Sequence, residues 1–285
     1  MQYWVSPNGS DTADGLSPAT ALKTLQRAEW VTKPGDVVNV LPGTYTAPDA
    51  HDVLHINRGG TEEAWITYKA APGAKIQVSP NNWMGVWVLA PYIIVEGFEI
   101  IGNARNVTMD FALQHVNDGA IPQTNSSGIA IGSSARMDHH VQILNNVIHD
   151  NSGPAIGAEG DYVVIAGNDI YGNANWSPYA TSGVSVTQQG TQQFDNAPGY
   201  HNFITGNRIH DNVELIGNMY AKGAITDGNG IIIDSNQLGT TPYTGRTLIS
   251  NNVLTNNGGP GVNVFQSAHV DVFHSGTDPR RMLPK

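Results

Sequence analysis

A phrase built from two short apolar stretches hinged on Asn or Gly recurs along this chain. It reads "VQILNNVIHDNSG" (141–153), "YVVIAGNDIYGNAN" (162–175), "HNFITGNRIHDN" (201–212) and "RTLISNNVLTNNGG" (246–259), with "YIIVEGFEIIGNA" (92–104) as a looser, earlier copy. A second phrase accompanies it: "GIAIGSS" (128–134), "GPAIGAE" (153–159), "GVSVTQQ" (183–189), "GIIIDSN" (230–236) and "GVNVFQS" (261–267). Each of these starts on Gly and then alternates apolar with small or polar residues, the period-two mark of a strand with one buried face. Successive starts are separated by 25, 30, 47 and 31 residues. Units of two or three short strands, with no helix between them, predict a right-handed parallel β-helix whose coils hydrogen-bond to one another about 4.8 Å apart. Asn at aligned bends can stack as an amide ladder and tolerates the left-handed conformation such bends need, so the asparagines read as scaffold.

Composition agrees with an all-β chain. There are 32 glycines among 285 residues, and only 13% of residues are charged, which suits short strands joined by tight turns. The formal net charge of −10 makes nucleic acid and anionic membrane poor partners. No run of about 18 apolar residues exists to span a bilayer. The absence of cysteine excludes disulfides and thiolate chemistry without fixing the compartment. "MQYWVSPNGS" carries neither a basic nor an apolar leader segment.

One domain is expected over 1–285: a cap and first coil (1–45), coils (46–276) and an irregular tail (277–285). "ALKTLQRAEWV" (21–31) is the one amphipathic helix, with Leu22, Leu25, Ala28 and Val31 at helical spacing, and it suits the capping of a solenoid end. No such cap is visible at the C-terminus. Either the chain is shortened there, or a partner or second copy covers the last coil, making a homo-oligomer.

Residues Tyr3–Tyr45, "YWVSPNGSDTADGLSPATALKTLQRAEWVTKPGDVVNVLPGTY", resemble the opening of carbohydrate-active β-helix proteins. They are most similar to pectate-lyase-like proteins of polysaccharide lyase family 9 and to some β-helix glycoside hydrolases. The shared pattern, "VSPNGSD…DG…P…A.KTLQ.A…..PGD.V.V.PGTY", covers about a sixth of the chain and belongs to the cap and first coil. It implies work on a polysaccharide, in a secreted or periplasmic setting. Three signatures are not recognisable in the remainder: the aspartate cluster and lysine context of family 9, the Asn-x-Asp, Asp-Asp and Gly-His-Gly set of polygalacturonase-like hydrolases, and the "YGFDPH"-like motif of mannuronan epimerases.

Outward residues of one strand ladder form a groove suited to a linear polymer. Aligning the second phrases on their first residue places Ala130 and Gly132, then Ala155, Gly157 and Glu159, then Ser185, Thr187 and Gln189, then Ile232, Asp234 and Asn236, then Asn263, Phe265 and Ser267 on that face. Glu159 and Asp234 are its only acids, two coils apart, roughly 10 Å if their heights match. The long gap between repeats is "VELIGNMYAKGAITDG", an insert carrying Glu214, Tyr220, Lys222 and Asp227 that is expected to wall the groove and bring Lys222 and Asp227 to Asp234. A second wall, "QQGTQQFDNAPGYH" (188–201), offers Phe194 and Tyr200 to stack on sugars or to pack inside. "MDHH" (137–140) is expected to be a loop, because adjacent strand residues point to opposite faces and chelate poorly. His149-Asp150 and His210-Asp211 occupy equivalent places and read as stacked bends.

Three activities fit. In a lyase, Asp227 and Asp234, with Glu159, would hold Ca²⁺ against a uronate carboxylate while Lys222 takes the C5 proton. In a hydrolase, Asp227 and Asp234 would be acid and base around the glycosidic oxygen. In a glycan-binding protein of the tailspike or adhesin type, "DGNG" is a turn and Asp234 a strand end. Asp227, Asn229 and Asp234 do not meet the EF-hand pattern. The expectation is cleavage of glycosidic bonds in a polysaccharide, with elimination slightly ahead on the resemblance. Asp227, Asp234 and Lys222 are the candidate catalysts, with Glu159, Gln189, Asn263, Phe265 and Tyr220 as substrate contacts. Calcium on Asp227 and Asp234 is the one candidate cofactor.

Overall fold

The computed structural model describes residues 1–133, 138–187, 193–238 and 241–276. Gln189 and the tail lie outside them. All strands in its three sheets pair in parallel, as the repeat requires: one sheet of nine strands runs from Gln2–Val5 to Val270–Phe273, and two have seven. One of the seven-stranded sheets runs from Gly43–Tyr45 to Val253–Thr255; the other, here called the groove sheet, runs from Asp52–Ile56 to Val262–Phe265. A coil visits each sheet once, for example through Asp138–Leu144, Val147–His149 and Ile156–Ala158. Inward Val and Ile side chains from all three sheets fill one continuous core.

The two bends expected from the repeat are asparagine ladders. At the first, the side-chain amides of Asn146, Asn168 and Asn207 donate to Asn168, Asn207 and Asn252 at 3.1, 2.9 and 2.9 Å. At the second, Asn151, Asn173 and Asn212 donate to Asn173, Asn212 and Asn257 at 2.8, 2.9 and 3.0 Å. The left-handed conformation belongs to the residue before each ladder Asn, such as Asn145, Gly167 and Gly206, so stacking and bending are divided between neighbours. His149, Tyr171 and His210 stack beside the second bend, with ring centroids 4.8 and 5.1 Å apart.

Glycine at the head of the groove strands has a packing cause. A Cβ on Gly183 would lie 2.8 Å from Asn212 Nδ2 and 2.9 Å from the Gly230 carbonyl; one on Gly230 would lie 2.6 Å from the Gly261 carbonyl. The column is Gly128, Ala155, Gly183, Gly230 and Gly261, because Ile129 pairs with Ile156. The phrase "GPAIGAE" therefore registers two residues later than its first Gly suggests. A shift of two leaves Gly157 and Glu159 on the outward face. Three positions expected to face outward do not: Ala155 is in the core, and Gly132 and Asn236 are buried at turns.

The expected helix is shorter than the pattern. α1 (Leu25–Val31), capped by Thr24, buries Leu25 and Ala28 against Gln2–Val5 and Asp52–Ile56, each the terminal strand of its sheet. Two further short helices, α2 (Met109–Gln114) and α3 (Pro122–Asn125), carry no helical period in the sequence. Among the described residues no helix is long and apolar enough to cross a membrane. At the C-terminal end Val264, Phe265, Val272 and Phe273 are exposed.

"DHH" lies in a strand, not in a loop. His140 adopts φ 56°, which breaks the alternation and brings its Nδ1 to 2.7 Å from that of His139. Tyr92, His140, Tyr162 and His201 stack along this third corner at 4.9, 4.6 and 4.2 Å. Burial, with the His140 charge beside it, pushes His139 down to about 4. An imidazole harder to protonate folded than unfolded costs stability as pH falls from about 6.5 toward 4, where the unfolded chain binds the extra proton. Urea unfolding of His139→Gln is expected to lose on the order of 1 kcal/mol less than the parent over that window, allowing for partial solvent screening. Equal losses in both proteins would refute the assignment.

Candidate functional site

Three excursions leave the coils at the same edge of the groove sheet. They span residues 102–126, 173–182 and 213–229, each between a short strand and the next groove strand. They share a small core of Ala104, Val107, Ala112, Trp176 and Ile216, and the Trp176 indole donates to the Ala104 carbonyl at 2.9 Å. A wall therefore runs along one side of the groove, and the 213–229 insert is only part of it.

Asp227 is positioned by the folding-back of that insert. Glu214 Oε2 accepts the backbone N–H groups of Thr226 (3.0 Å) and Asp227 (3.1 Å), and Gly228 follows at φ 73° with its N–H on the Thr181 carbonyl. The Asp227 carboxylate accepts from Thr226 Oγ1 at 2.7 Å and Asn229 Nδ2 at 2.9 Å. Burial raises the Glu214 carboxyl above its ordinary value; the two N–H groups act against this, and the Asp227 charge adds to it. Asp234 ends the strand Ile231–Asp234, in register with Thr187 and Phe265, and accepts from Ser235 Oγ at 2.6 Å.

Asp227, Asp234, Tyr220, Asn263 and Phe265 line one cleft of about 440 Å³, joined by Tyr179 and Asn218. Tyr179 and Tyr220 form its aromatic rim, their centroids 6.1 Å apart. Tyr179 also lines an adjoining cleft of about 360 Å³ with Trp87, Gly157, Glu159 and Thr187, so the groove is continuous. Lys222 is not brought to the acids. It ends the short helical turn Met219–Ala221 at φ 55° and is exposed at the tip of the insert, off the cleft lining. Phe194 and Tyr200 are not a groove wall either. Phe194 packs 4.1 Å from His139, and Tyr200 begins a strand of the nine-stranded sheet beneath the Arg246 guanidinium.

The donor set does not favour calcium. Both Asp227 oxygens already accept hydrogen bonds, and among the described residues no three His, Asp or Glu side chains converge as a metal would need. At the other end of the groove sheet lies a group the repeat did not point to. His51 and His55 each place Nδ1 on the buried Asp52 carboxylate, at 2.8 and 2.9 Å, beside Trp83 and Trp87. The available signal was alternation in "HDVLHI", which puts His55 outward from a coil preceding the obvious repeats.

The comparisons agree with this architecture. The chain superposes on the pectate lyase Pel9A at 16% identity and a TM-score of 0.54, over 100% of this chain and 78% of that one. It superposes on a mannuronic acid specific polysaccharide family 6 lyase from human gut microbiota at 16% identity and 0.52, over 95% of this chain and 53% of that one. For a pectin methylesterase in complex with a hexasaccharide the values are 10% and 0.53, over 99% and 91%. No curated protein matches the chain in sequence. A family described as the right handed beta helix region matches residues 93–275, most of the coils described above. The chain belongs to that right-handed β-helix family.

Proposed function

We propose that the protein is a carbohydrate-active enzyme that hydrolyses glycosidic bonds of a polysaccharide lying along the groove sheet. The observation that carries this is the meeting of Asp227 and Asp234 in one aromatic-rimmed cleft on an otherwise charge-poor ladder. Two carboxyl groups flanking a sugar–oxygen bond suffice for hydrolysis. One gives its proton to the departing oxygen; the other takes a proton from the attacking water or adds to the sugar carbon itself. Tyr179, Tyr220 and Phe265 would hold sugar faces, and Asn263 would bond hydroxyls. That the solved β-helix neighbours named above include enzymes of polysaccharides supports the substrate class.

Elimination needs a base at the sugar C5 and a cation for the uronate. Lys222 lies off the cleft lining, and the acids do not form a calcium cluster, so elimination gives way to hydrolysis in this reading. Non-catalytic glycan binding is the second reading, favoured by the two hydrogen bonds that Asp227 already accepts within its own turn. Product analysis separates the three. Hydrolysis releases reducing ends with no unsaturated, ultraviolet-absorbing product. Appearance of that product would sink the acid–base pair in favour of elimination, and no cleavage of any glycan would leave binding.

A further inference from the structure

Glu214 is a buried carboxyl to which hydrolysis by Asp227 and Asp234 gives no role. It is 2% exposed and lies off the cleft lining, yet it stands at the neck of the insert that carries Asp227. The outgoing arm of that insert is rooted in the preceding excursion. The Val213 N–H donates to the Asn173 carbonyl at 3.1 Å, the Leu215 N–H donates to the Asn175 carbonyl at 3.0 Å, and Ile216 sits in the shared core of the wall. The returning arm closes tightly on this root. A Cβ on Gly228, at φ 73°, would lie 2.6 Å from the Glu214 backbone nitrogen and 3.1 Å from Val213 Cα.

The Glu214 side chain ties the two arms together. Its Oε2 accepts the backbone N–H groups of Thr226 and Asp227, 12 and 13 residues ahead. Those are the two residues whose side chains meet in the bond from Thr226 Oγ1 to Asp227 Oδ2. Asn218 Nδ2 donates to Thr226 Oγ1 at 3.0 Å, and the buried Asn229 amide donates to Asp227 Oδ1 and to the Ser182 hydroxyl, both at 2.9 Å. Asp227 is thus held through its backbone as well as through its carboxylate oxygens, and Glu214 supplies a backbone hold. Burial raises the Glu214 carboxyl. A carboxyl pushed toward its neutral form still offers a carbonyl oxygen to two N–H groups, and a glutamine oxygen would offer the same.

We propose that Glu214 is a positioning residue for hydrolysis: by clasping the Thr226–Asp227 backbone it sets the Asp227 carboxyl against Asp234, and it acts through the reach of its oxygen, not through its charge. The inference rests on Asp227 and Asp234 being the acid–base pair.

Reducing-end kinetics, thermal melts and amide hydrogen exchange of Glu214→Ala, Glu214→Asp and Glu214→Gln test it. Alanine removes the acceptor, aspartate keeps the charge but falls one methylene short, and glutamine keeps the reach without the charge. In the alanine and aspartate variants kcat is expected to fall about a hundredfold, the scale of a slightly misplaced catalytic group, with KM within about threefold. Glu214→Gln should stay within about threefold of the parent in both. The Thr226 and Asp227 amides should exchange slowly in the parent and in Glu214→Gln, and faster in the other two. Added to Asp227→Asn, Glu214→Ala should cost less than about a further threefold, because the group it orients has already gone; a merely structural role would impose its loss again. Should alanine not fold, aspartate carries the same test. Retained kcat in the alanine and aspartate variants, failed rescue by glutamine, or a full further loss on top of Asp227→Asn would each overturn the positioning role and leave hydrolysis in place. A parent protein that releases no reducing ends would overturn hydrolysis itself and take the positioning role with it, whatever the amides show.

Discussion

Asp234→Asn is expected to lower kcat on the groove-bound polysaccharide about 10²–10⁴-fold, the span of a lost general acid or base, while the thermal midpoint stays where it was. The two halves of that expectation have separate causes. Asp234 ends its strand with a part-exposed side chain that accepts from the Ser235 hydroxyl, so an amide replaces it with little loss of packing. It cannot replace its proton chemistry. Asp227→Asn should differ in kind: activity falls similarly, but stability also falls by about 1–2 kcal/mol, because an amide offers one acceptor oxygen where Thr226 and Asn229 now use two. Lys222→Ala then decides between reaction types. From the tip of the insert it should leave hydrolysis unchanged, whereas elimination with Lys222 as base would collapse. Steady-state kinetics alongside thermal melts reads all three, and full activity in Asp234→Asn would remove this residue from the chemistry.

The contrast between Asp234 and Lys222 marks where sequence reasoning ended. Asp234 was legible because a strand alternates, and even a two-residue misregister of "GPAIGAE" cannot turn a side chain over. The ladder asparagines and the glycine column were legible for the same reason: each coil repeats the same close contacts. Inserts obey no such rule. Lys222 is the left-handed residue that ends its helical turn, exposed and off the cleft lining, and nothing in "MYAKGA" announces where that turn sits relative to the groove. Phe194 is set by Asp161, whose buried carboxylate accepts its N–H at 2.8 Å together with Nδ1 of His201 and the hydroxyl of Tyr243. Those partners are far apart in sequence. The helices α2 and α3 are six and four residues long, too short to establish a helical period; α2 is held by Ala112 in the small core of the wall, and α3 by the Ser152 hydroxyl on the Gln123 carbonyl. The His51–Asp52–His55 group falls in a coil whose copy of the repeat is too divergent to align.

Asn207→Ala should cost about 3–5 kcal/mol, more than any surface change in the chain, because its amide is one link in a ladder with neighbours on both sides. Its oxygen accepts the backbone N–H and the side-chain amide of Asn168, both at 2.9 Å, and its nitrogen donates to the Ile165 carbonyl and to Asn252 Oδ1, also at 2.9 Å. Alanine takes this partner from the Asn168 N–H and the Ile165 carbonyl at once, and of the two Asn207 bonds to the Asn252 oxygen it leaves the one from the residue-207 backbone N–H, in a column only 1% exposed. Water cannot enter to replace them without opening the coil. Aspartate would restore the acceptor but bring an unpaired charge against Asn252 Oδ1, so it should be no better than alanine. Asn145, one residue before the ladder and exposed, carries the left-handed turn instead, and Asn145→Gly should be within about 0.5 kcal/mol of the parent because glycine takes that conformation freely. Chemical denaturation of the pair tests the division of labour directly. A mild Asn207→Ala would mean that the coils are held by their apolar core alone and that the amide column follows from the stacking; a large loss beside a neutral Asn145→Gly would make the column a cause of it.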